Sequence, residues 1–342
     1  MKKSESFYIG LIYFTSMVSV LAVRILFAYD ALAPLEALIG SDNLFTLLTQ
    51  VICMGAIPGL MYLCLKRRQG IGVGRALRQI GFYKPRREVW KYVVVISLFS
   101  TFITTFVSLM WSGVLSLCGY KYLSSSGDDE VYNLFTVIGM TVMTAGLPAV
   151  FEEFSHRGLL RRAYPLKKDA YTYILVSALL FGLMHQNITQ TVYTFCGGLV
   201  MAGLVYVTGS IYPSVLYHFL NNFIAVLLQA GARGNVLGIL PAALYGLLLG
   251  TTAGQTVSLI IVIIMIPLIY RLFVKLSAAA NPPRPVKIYD TYIYATRLDD
   301  LSVYGKPEQS KKPSRGEKAF FAGVIVMNTL ATAMSFVWGV LR

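Results

Sequence analysis

Charged side chains are scarce in this sequence of 342 residues. Asp, Glu, Lys and Arg together make up 13% of the chain, whereas 56% of the residues are hydrophobic. The mean hydropathy is +0.63. Soluble globular domains carry about 25% charged residues, so this composition excludes that class of protein. It predicts an integral membrane protein with several spans.

Cysteine and acidic residues are also few. The four cysteines stand singly, without the CxxC spacing of a zinc site or the density of a disulfide-rich secreted domain. Lys and Arg outnumber Asp and Glu by 30 to 16, and the excess lies at residues 66–91, 157–168 and 271–318. This pattern is typical of cytoplasmic loops beside anionic lipid. The expected partner is the lipid bilayer, and the pattern does not indicate nucleic acid.

Several apolar runs are long enough to cross a membrane. A helix of about 20 apolar residues spans the hydrocarbon core of a bilayer. We therefore expect an all-α fold, a polytopic transmembrane bundle of about eight or nine membrane helices. The runs lie near residues 7–29, 43–65, 91–118, 132–160, 170–186, 190–208, 212–229, 254–275 and 319–341.

Residues 276–318 interrupt this apolar pattern. The stretch is rich in proline and charge, and such sequences do not bury enough apolar surface to order themselves. We therefore expect a helix bundle over residues 1–275, a polar cytoplasmic linker over 276–318 and a C-terminal transmembrane helix over 319–342.

The basic stretches also set the expected orientation. With the N-terminus in the cytoplasm, residues 66–91 and 157–168 both fall inside. The basic residues from Arg271 onward fall inside only if residues 235–250 do not cross the membrane. We therefore expect a re-entrant or interfacial segment at 235–250. The short loops fit a bacterial plasma membrane.

Residues 66–91 also mix apolar and basic side chains. Leu77 and Ile80 interleave with Arg75 and Arg78. This pattern predicts a basic amphipathic helix on the inner face of the membrane.

Three charged residues lie inside one apolar run. Glu152, Glu153 and Arg157 fall in the run near 132–160, where each charge costs several kcal/mol by order of magnitude. Glu153 and Arg157 are spaced i, i+4 with the acid first, which favours a pair that neutralises itself. We assign this pair a supporting role, which leaves Glu152 as the candidate base.

The three histidines of the chain lie in the same region. His185 closes an apolar helix, and His218 shares a helix face with Asn222, four residues further on. A carboxyl group in an apolar pocket binds its proton more tightly than in water and can act as a general base together with a neutral histidine. Glu152 and His185 fit that role, and His218 and Asn222 fit the role of donors to an oxyanion. This set of residues can hydrolyse an amide.

A metal site would use the same side chains. Glu152, His185 and His218 match a catalytic zinc shell in ligand type and number, so zinc is an alternative cofactor. The sequence signal for metal is weaker, because the chain has no HExxH motif. No metal site is firmly predicted.

Three motifs in order resemble those of a known family. Glu-Glu-x-x-x-Arg begins at residue 152, Phe-x-x-x-His at 181 and His-x-x-x-Asn at 218. The set resembles the CPBP intramembrane proteases, also called Abi or CAAX protease and bacteriocin-processing proteins, which include the Ras-converting CAAX endopeptidases. The resemblance implies an all-α bundle with a buried catalytic cavity, in which Glu152 and His185 activate water and His218 and Asn222 stabilise the oxyanion. Such a protein is either a glutamate protease or a metalloprotease.

Two classes of function stay open. The first is an intramembrane endopeptidase that cleaves a membrane-associated peptide or protein. The second is a non-enzymatic membrane protein, either a bacteriocin-immunity or scaffold protein or a transporter that uses the buried acids. Helix depth sets a condition on the first class. At about 1.5 Å per residue, Glu152 and His185 meet only if the fourth helix breaks after Arg157 or if residues 169–173 lie outside the membrane.

Overall fold

Helices account for nearly all regular structure in the computed structural model of this chain, which describes residues 4–122, 132–163, 169–281, 284–288, 291–295 and 314–341. One antiparallel pair of strands, β1 (Arg284–Ile288) and β2 (Thr291–Ala295), lies within the stretch expected as a linker. The helices, numbered in chain order, are α1 (Glu5–Ala28), α2 (Ala33–Ile39), α3 (Ser41–Arg68), α4 (Val73–Gln79), α5 (Arg87–Leu117), α6 (Leu134–Arg162), α7 (Ala170–Met184), α8 (Ile188–Thr208), α9 (Tyr212–Ala232), α10 (Val236–Leu249), α11 (Thr252–Ala280) and α12 (Arg315–Leu341).

The predicted all-α membrane fold is confirmed. Within the described residues, eight helices are long and apolar enough to cross a membrane, namely α1, α3, α5, α6, α8, α9, α11 and α12. Helix α7 has 15 residues and is about 22 Å long at 1.5 Å per residue, less than the ~30 Å of a bilayer core. Helix α10 has 14 residues, so the re-entrant or interfacial placement of residues 235–250 fits its length and stays a prediction.

The amphipathic helix expected over residues 66–91 is much shorter than predicted. Helix α4 covers Val73–Gln79 only, with Ala76 buried and both Arg75 and Arg78 exposed. Gly81 then reverses the chain with a φ of 95°, and its carbonyl accepts a hydrogen bond from the Ile211 N–H at 3.0 Å. The segment therefore folds back onto the start of α9 instead of continuing as a helix.

Ion pairs join the ends of three helices. Glu5 Oε1 at the start of α1 lies 3.1 Å from Lys66 Nζ on α3 and 2.6 Å from Arg162 Nε on α6. Because one carboxylate bonds both cations, the ends of α1, α3 and α6 are held together. Two of these helices, α3 and α6, carry polar side chains of the candidate site.

Close packing of α7 on α8 also positions the site. A Cβ atom at Gly198 would lie 2.9 Å from the Cα atom of Ala178, so the contact requires glycine. The same approach leaves the Gly198 carbonyl 3.4 Å from Arg157 Nη2. The packing of α7 on α8 therefore places a backbone acceptor of α8 beside Arg157 of α6.

Two prolines alter the winding of α3 and α6. A π-helical segment, Leu47–Ala56, precedes Pro58 in α3, and a second, Thr141–Gly146, precedes Pro148 in α6. Proline has no N–H, so the carbonyl four residues earlier loses its α-helical donor. The carbonyls affected are those of Met54 and Thr144.

Side chains from other helices bond both of these carbonyls. Ser155 Oγ on α6 donates to the Met54 carbonyl at 2.7 Å, and Asn222 Nδ2 on α9 donates to the Thr144 carbonyl at 3.0 Å. Buried backbone acceptors are rarely left unpaired. The prolines therefore create two acceptors that connect α3 to α6 and α6 to α9.

We expect Ser155→Ala to lower the free energy of unfolding by about 1 kcal/mol, because it removes a donor from the buried Met54 carbonyl. Ser97→Ala is the matched control. Ser97 is equally buried, but its hydroxyl bonds the Val93 carbonyl one turn earlier in its own helix, at 2.7 Å. Reversible unfolding of the purified protein in mixed micelles measures both losses. Equal losses of unfolding free energy would show that a hydrogen bond to the carbonyl freed by proline stabilises the protein no more than an ordinary one.

Candidate active site

A buried ion pair lies at the centre of the candidate site. Arg157 Nη1 donates to Glu153 Oε1 at 2.9 Å, and both side chains are 0% exposed. The Phe181 ring of α7 has its centroid 4.1 Å from Arg157 Cζ, which adds a cation–π contact that is strongest when it is desolvated. The pair with the expected i, i+4 spacing therefore also joins α6 to α7.

His218 of α9 lies beside both glutamates. Its Nδ1 is 3.1 Å from Glu153 Oε1, and its Nε2 is 3.9 Å from Glu152 Oε2. A carboxylate only accepts hydrogen bonds, so Nδ1 carries the proton shared with Glu153. The structure thus brings His218 to the acidic pair, whereas sequence reasoning paired Glu152 with His185.

Glu152 has one bonded oxygen and one free oxygen. Gln50 Nε2 of α3 donates to Glu152 Oε1 at 2.8 Å. The Oε2 atom is buried and accepts no hydrogen bond from the described residues, and the residue as a whole is 5% exposed. A neutral amide partner orients Glu152 without compensating its charge. This leaves Oε2 as an acceptor that faces the Nε2 side of His218.

His185 follows the last residue of α7, and its ring is oriented by its own helix. Its Nδ1 donates to the Phe181 carbonyl at 2.8 Å. In the neutral ring this bond leaves Nε2 as the acceptor. Arg24 of α1 donates from Nη2 to the His185 carbonyl at 2.8 Å. The end of α7 is therefore held by α1.

The Phe181 ring packs against both candidate catalytic imidazoles. Its centroid lies 5.2 Å from that of His185 and 5.6 Å from that of His218, with both contacts edge to face. One phenyl ring therefore lies between the histidine of α7 and the histidine of α9.

Helix α6 does not break after Arg157, which was one of the two conditions set for a meeting of Glu152 and His185. Helix α6 continues to Arg162, and the segment Phe154–Leu159 is π-helical. Gly158 lies in this π-helical segment. π-Helical segments are uncommon and occur frequently at functional sites.

Asn222 lies one turn beyond His218 on α9. Because Asn222 donates to the Thr144 carbonyl, the amide nitrogen, Nδ2, points towards α6. The second N–H of Nδ2 is available for another acceptor. Asn221 has different neighbours. Its Oδ1 accepts from Thr104 Oγ1 at 3.0 Å, and its Nδ2 donates to Asn222 Oδ1 at 3.3 Å.

The three side chains considered as alternative zinc ligands do not form a metal-binding group. Among the described residues, no three His, Cys, Asp or Glu side chains are arranged to hold a metal ion. The set Glu152, His185 and His218 therefore matches a zinc shell in composition but not in arrangement.

Sequence reasoning missed two polar residues that contact the site. Gln50 is a lone amide in the apolar run near 43–65, and Arg24 is a lone charge in the first run. Such residues in membrane helices usually bond across helices or mark function, so both signals were present. The partners Glu152 and His185 depend on how each helix is rotated, which one sequence does not specify.

We expect Arg157→Met to lower the free energy of unfolding by about 3–5 kcal/mol, because it leaves the buried Glu153 carboxylate without its guanidinium. The double variant Glu153→Gln/Arg157→Met removes both charges and should recover part of this loss. Unfolding in mixed micelles measures all three proteins. A double variant no more stable than Arg157→Met would show that Arg157 contributes something other than charge compensation.

Comparison with known proteins gives one match. No curated protein and no solved structure matches the chain. Residues 134–224 match the family described as Type II CAAX prenyl endopeptidase Rce1-like. This segment runs from the start of α6 into α9 and contains every residue of the three motifs, namely Glu152, Glu153, Arg157, Phe181, His185, His218 and Asn222. For this part of the chain, the match confirms the resemblance to the CAAX-type intramembrane proteases.

Proposed function

We propose that this chain is an intramembrane endopeptidase of the CAAX type that hydrolyses a peptide bond of a membrane-associated peptide or protein. The observation that carries the proposal is a pair of oriented acceptors. Glu152 Oε2 is buried and unbonded while Oε1 is held by Gln50, and His185 Nε2 is an acceptor because Nδ1 is held by the Phe181 carbonyl. Two such acceptors in an apolar setting suit general-base activation of water.

In the proposed reaction, Glu152 and His185 take a proton from a water molecule while its oxygen attacks the carbonyl carbon of the substrate. A carbon–oxygen bond forms, and the carbonyl oxygen becomes an oxyanion. The carbon–nitrogen bond then breaks, and the proton taken from water passes to the leaving nitrogen. The products are a carboxylic acid and an amine, which together carry both hydrogens of the water molecule.

We assign stabilisation of the oxyanion to His218 and Asn222. Donors aimed at a developing negative charge contribute most when they are fixed in advance. Glu153 and the Thr144 carbonyl fix His218 and Asn222, respectively. Because Nδ1–H is already bonded to Glu153, a bond from His218 to the oxyanion has to come from Nε2. Asn222 donates from its second N–H.

The substrate class follows from the family likeness and the membrane setting. The matched family is described as CAAX prenyl endopeptidases. We therefore propose a substrate whose C-terminal segment is anchored in the membrane by a lipid. An S-farnesylated peptide with a CAAX ending is a suitable first probe.

We expect Glu152→Gln to lower the rate of probe cleavage by roughly 10²–10⁴-fold, the usual contribution of a general base. Glutamine keeps the oxygen that accepts from Gln50, so the variant should fold. Glu88→Gln, at an exposed residue on α5, is the control and should cleave normally. Mass spectrometry of the probe in proteoliposomes measures the products. Equal cleavage by Glu152→Gln and wild type would rule out this active site, and no cleavage by either would favour the non-enzymatic alternative.

We also propose that the reaction is that of a glutamate protease, because the described side chains offer no three-ligand group for a metal. Cleavage should therefore persist after incubation with EDTA and 1,10-phenanthroline. A non-chelating phenanthroline isomer at the same concentration controls for effects on the lipid membrane of the proteoliposomes. Activity that is lost with the chelators and restored by zinc would contradict the assignment and favour a metalloprotease.

A further inference from the structure

An apolar groove of about 690 Å³ lies between α6 and α9. Ala149 and Val150 of α6 line it, as do Leu216 and Phe219 of α9. Its volume falls in the range of pockets that bind small molecules, roughly 300–1,000 Å³. The lining within the described part of the chain includes none of the candidate catalytic residues, so the groove is separate from the site although it shares two helices with it.

Hydrogen bonds hold one wall of the groove in place. Phe82 and Tyr83 line this wall, and the chain on either side is bonded to the turn before α9. Ile211 N–H donates to the Gly81 carbonyl at 3.0 Å, and Ser210 Oγ donates to the Tyr83 carbonyl at 2.6 Å. The wall is therefore part of the folded structure and need not form when a ligand binds.

Two cations lie at the edge of the groove. Arg78 and Lys84 belong to its lining, and both are exposed. Among the described residues, the Lys and Arg side chains that form ion pairs with Asp or Glu are Lys66, Arg86, Arg157 and Arg162. Neither Arg78 nor Lys84 is one of them. Arg78 and Lys84 therefore have their charges available for an anion.

Trp90 also lines the groove and begins the membrane-crossing part of α5. Tryptophan is enriched where a membrane helix meets the headgroup region. The cationic edge therefore lies at headgroup level, and the apolar walls extend from it along α6 and α9. A phosphate at the edge joined to a hydrocarbon chain in the groove would complement both features.

We propose that this groove binds an anionic phospholipid, with the phosphate on Arg78 and Lys84 and one acyl chain between α6 and α9. A soluble anion would use only the cationic edge, and a neutral lipid would use only the apolar walls. The inference concerns binding alone, so it stands or falls independently of the proposed protease activity.

Native mass spectrometry of the full-length protein in a neutral detergent tests the proposal. The probes are phosphatidylglycerol and phosphatidylcholine with identical chains. Wild type should prefer phosphatidylglycerol. Arg78→Gln/Lys84→Gln should weaken phosphatidylglycerol binding by about tenfold or more, because each basic residue near an anionic headgroup contributes roughly a fivefold factor. Arg67→Gln/Arg68→Gln changes the charge equally at exposed positions of α3 and should leave binding unchanged.

Two further measurements test the position of the acyl chain. Val150→Trp fills the apolar part of the groove and should weaken the binding of both lipids by several-fold while leaving the cationic edge intact. Glycerol phosphate, which has the anion but no chain, should fail to displace phosphatidylglycerol at a tenfold excess.

Several results would overturn the proposal. Equal losses from the two double variants would show a general charge effect. Displacement by glycerol phosphate would show a site for a soluble anion. Normal lipid binding by Val150→Trp would place the chain elsewhere, and a lipid-anchored peptide that binds the groove when phosphatidylglycerol does not would assign the groove to a peptide ligand.

Discussion

The buried ion pair of Glu153 and Arg157 is the contact on which the rest of the site depends. Two charges removed from water are stable only with good geometry and further hydrogen bonds. Those further contacts come from Phe181, Gly198 and His218, which belong to α7, α8 and α9. The pair is therefore stable only when these helices are assembled around α6. Once assembled, Glu153 fixes the orientation of His218.

The two adjacent glutamates have opposite environments. Successive residues of a helix point about 100° apart, so Glu152 and Glu153 face different neighbours. Glu153 bonds a guanidinium, whereas Glu152 bonds a neutral amide from Gln50. Arg157 compensates the charge of Glu153, so Glu152 needs no basic partner of its own and can accept a proton.

The membrane helices and the Glu153–Arg157 contact could be predicted, because both depend on local spacing along the chain. Contacts between helices could not. The partnership of Gln50 with Glu152 depends on the rotation of α3 against α6. The same holds for the alternative zinc set, because ligand type and number do not show whether three helices bring those side chains together. Gly158 permits a helix break, but it lies in a π-helical segment of a helix that continues to Arg162.

Pro148 has no functional group that could take part in a reaction, yet it determines what Asn222 does. By withholding one N–H it leaves the Thr144 carbonyl open to a side chain 78 positions further along the chain. A change at residue 148 that restored the missing N–H would remove one reason for an amide at residue 222. The orientation of Asn222 on α9 therefore depends in part on a proline in α6.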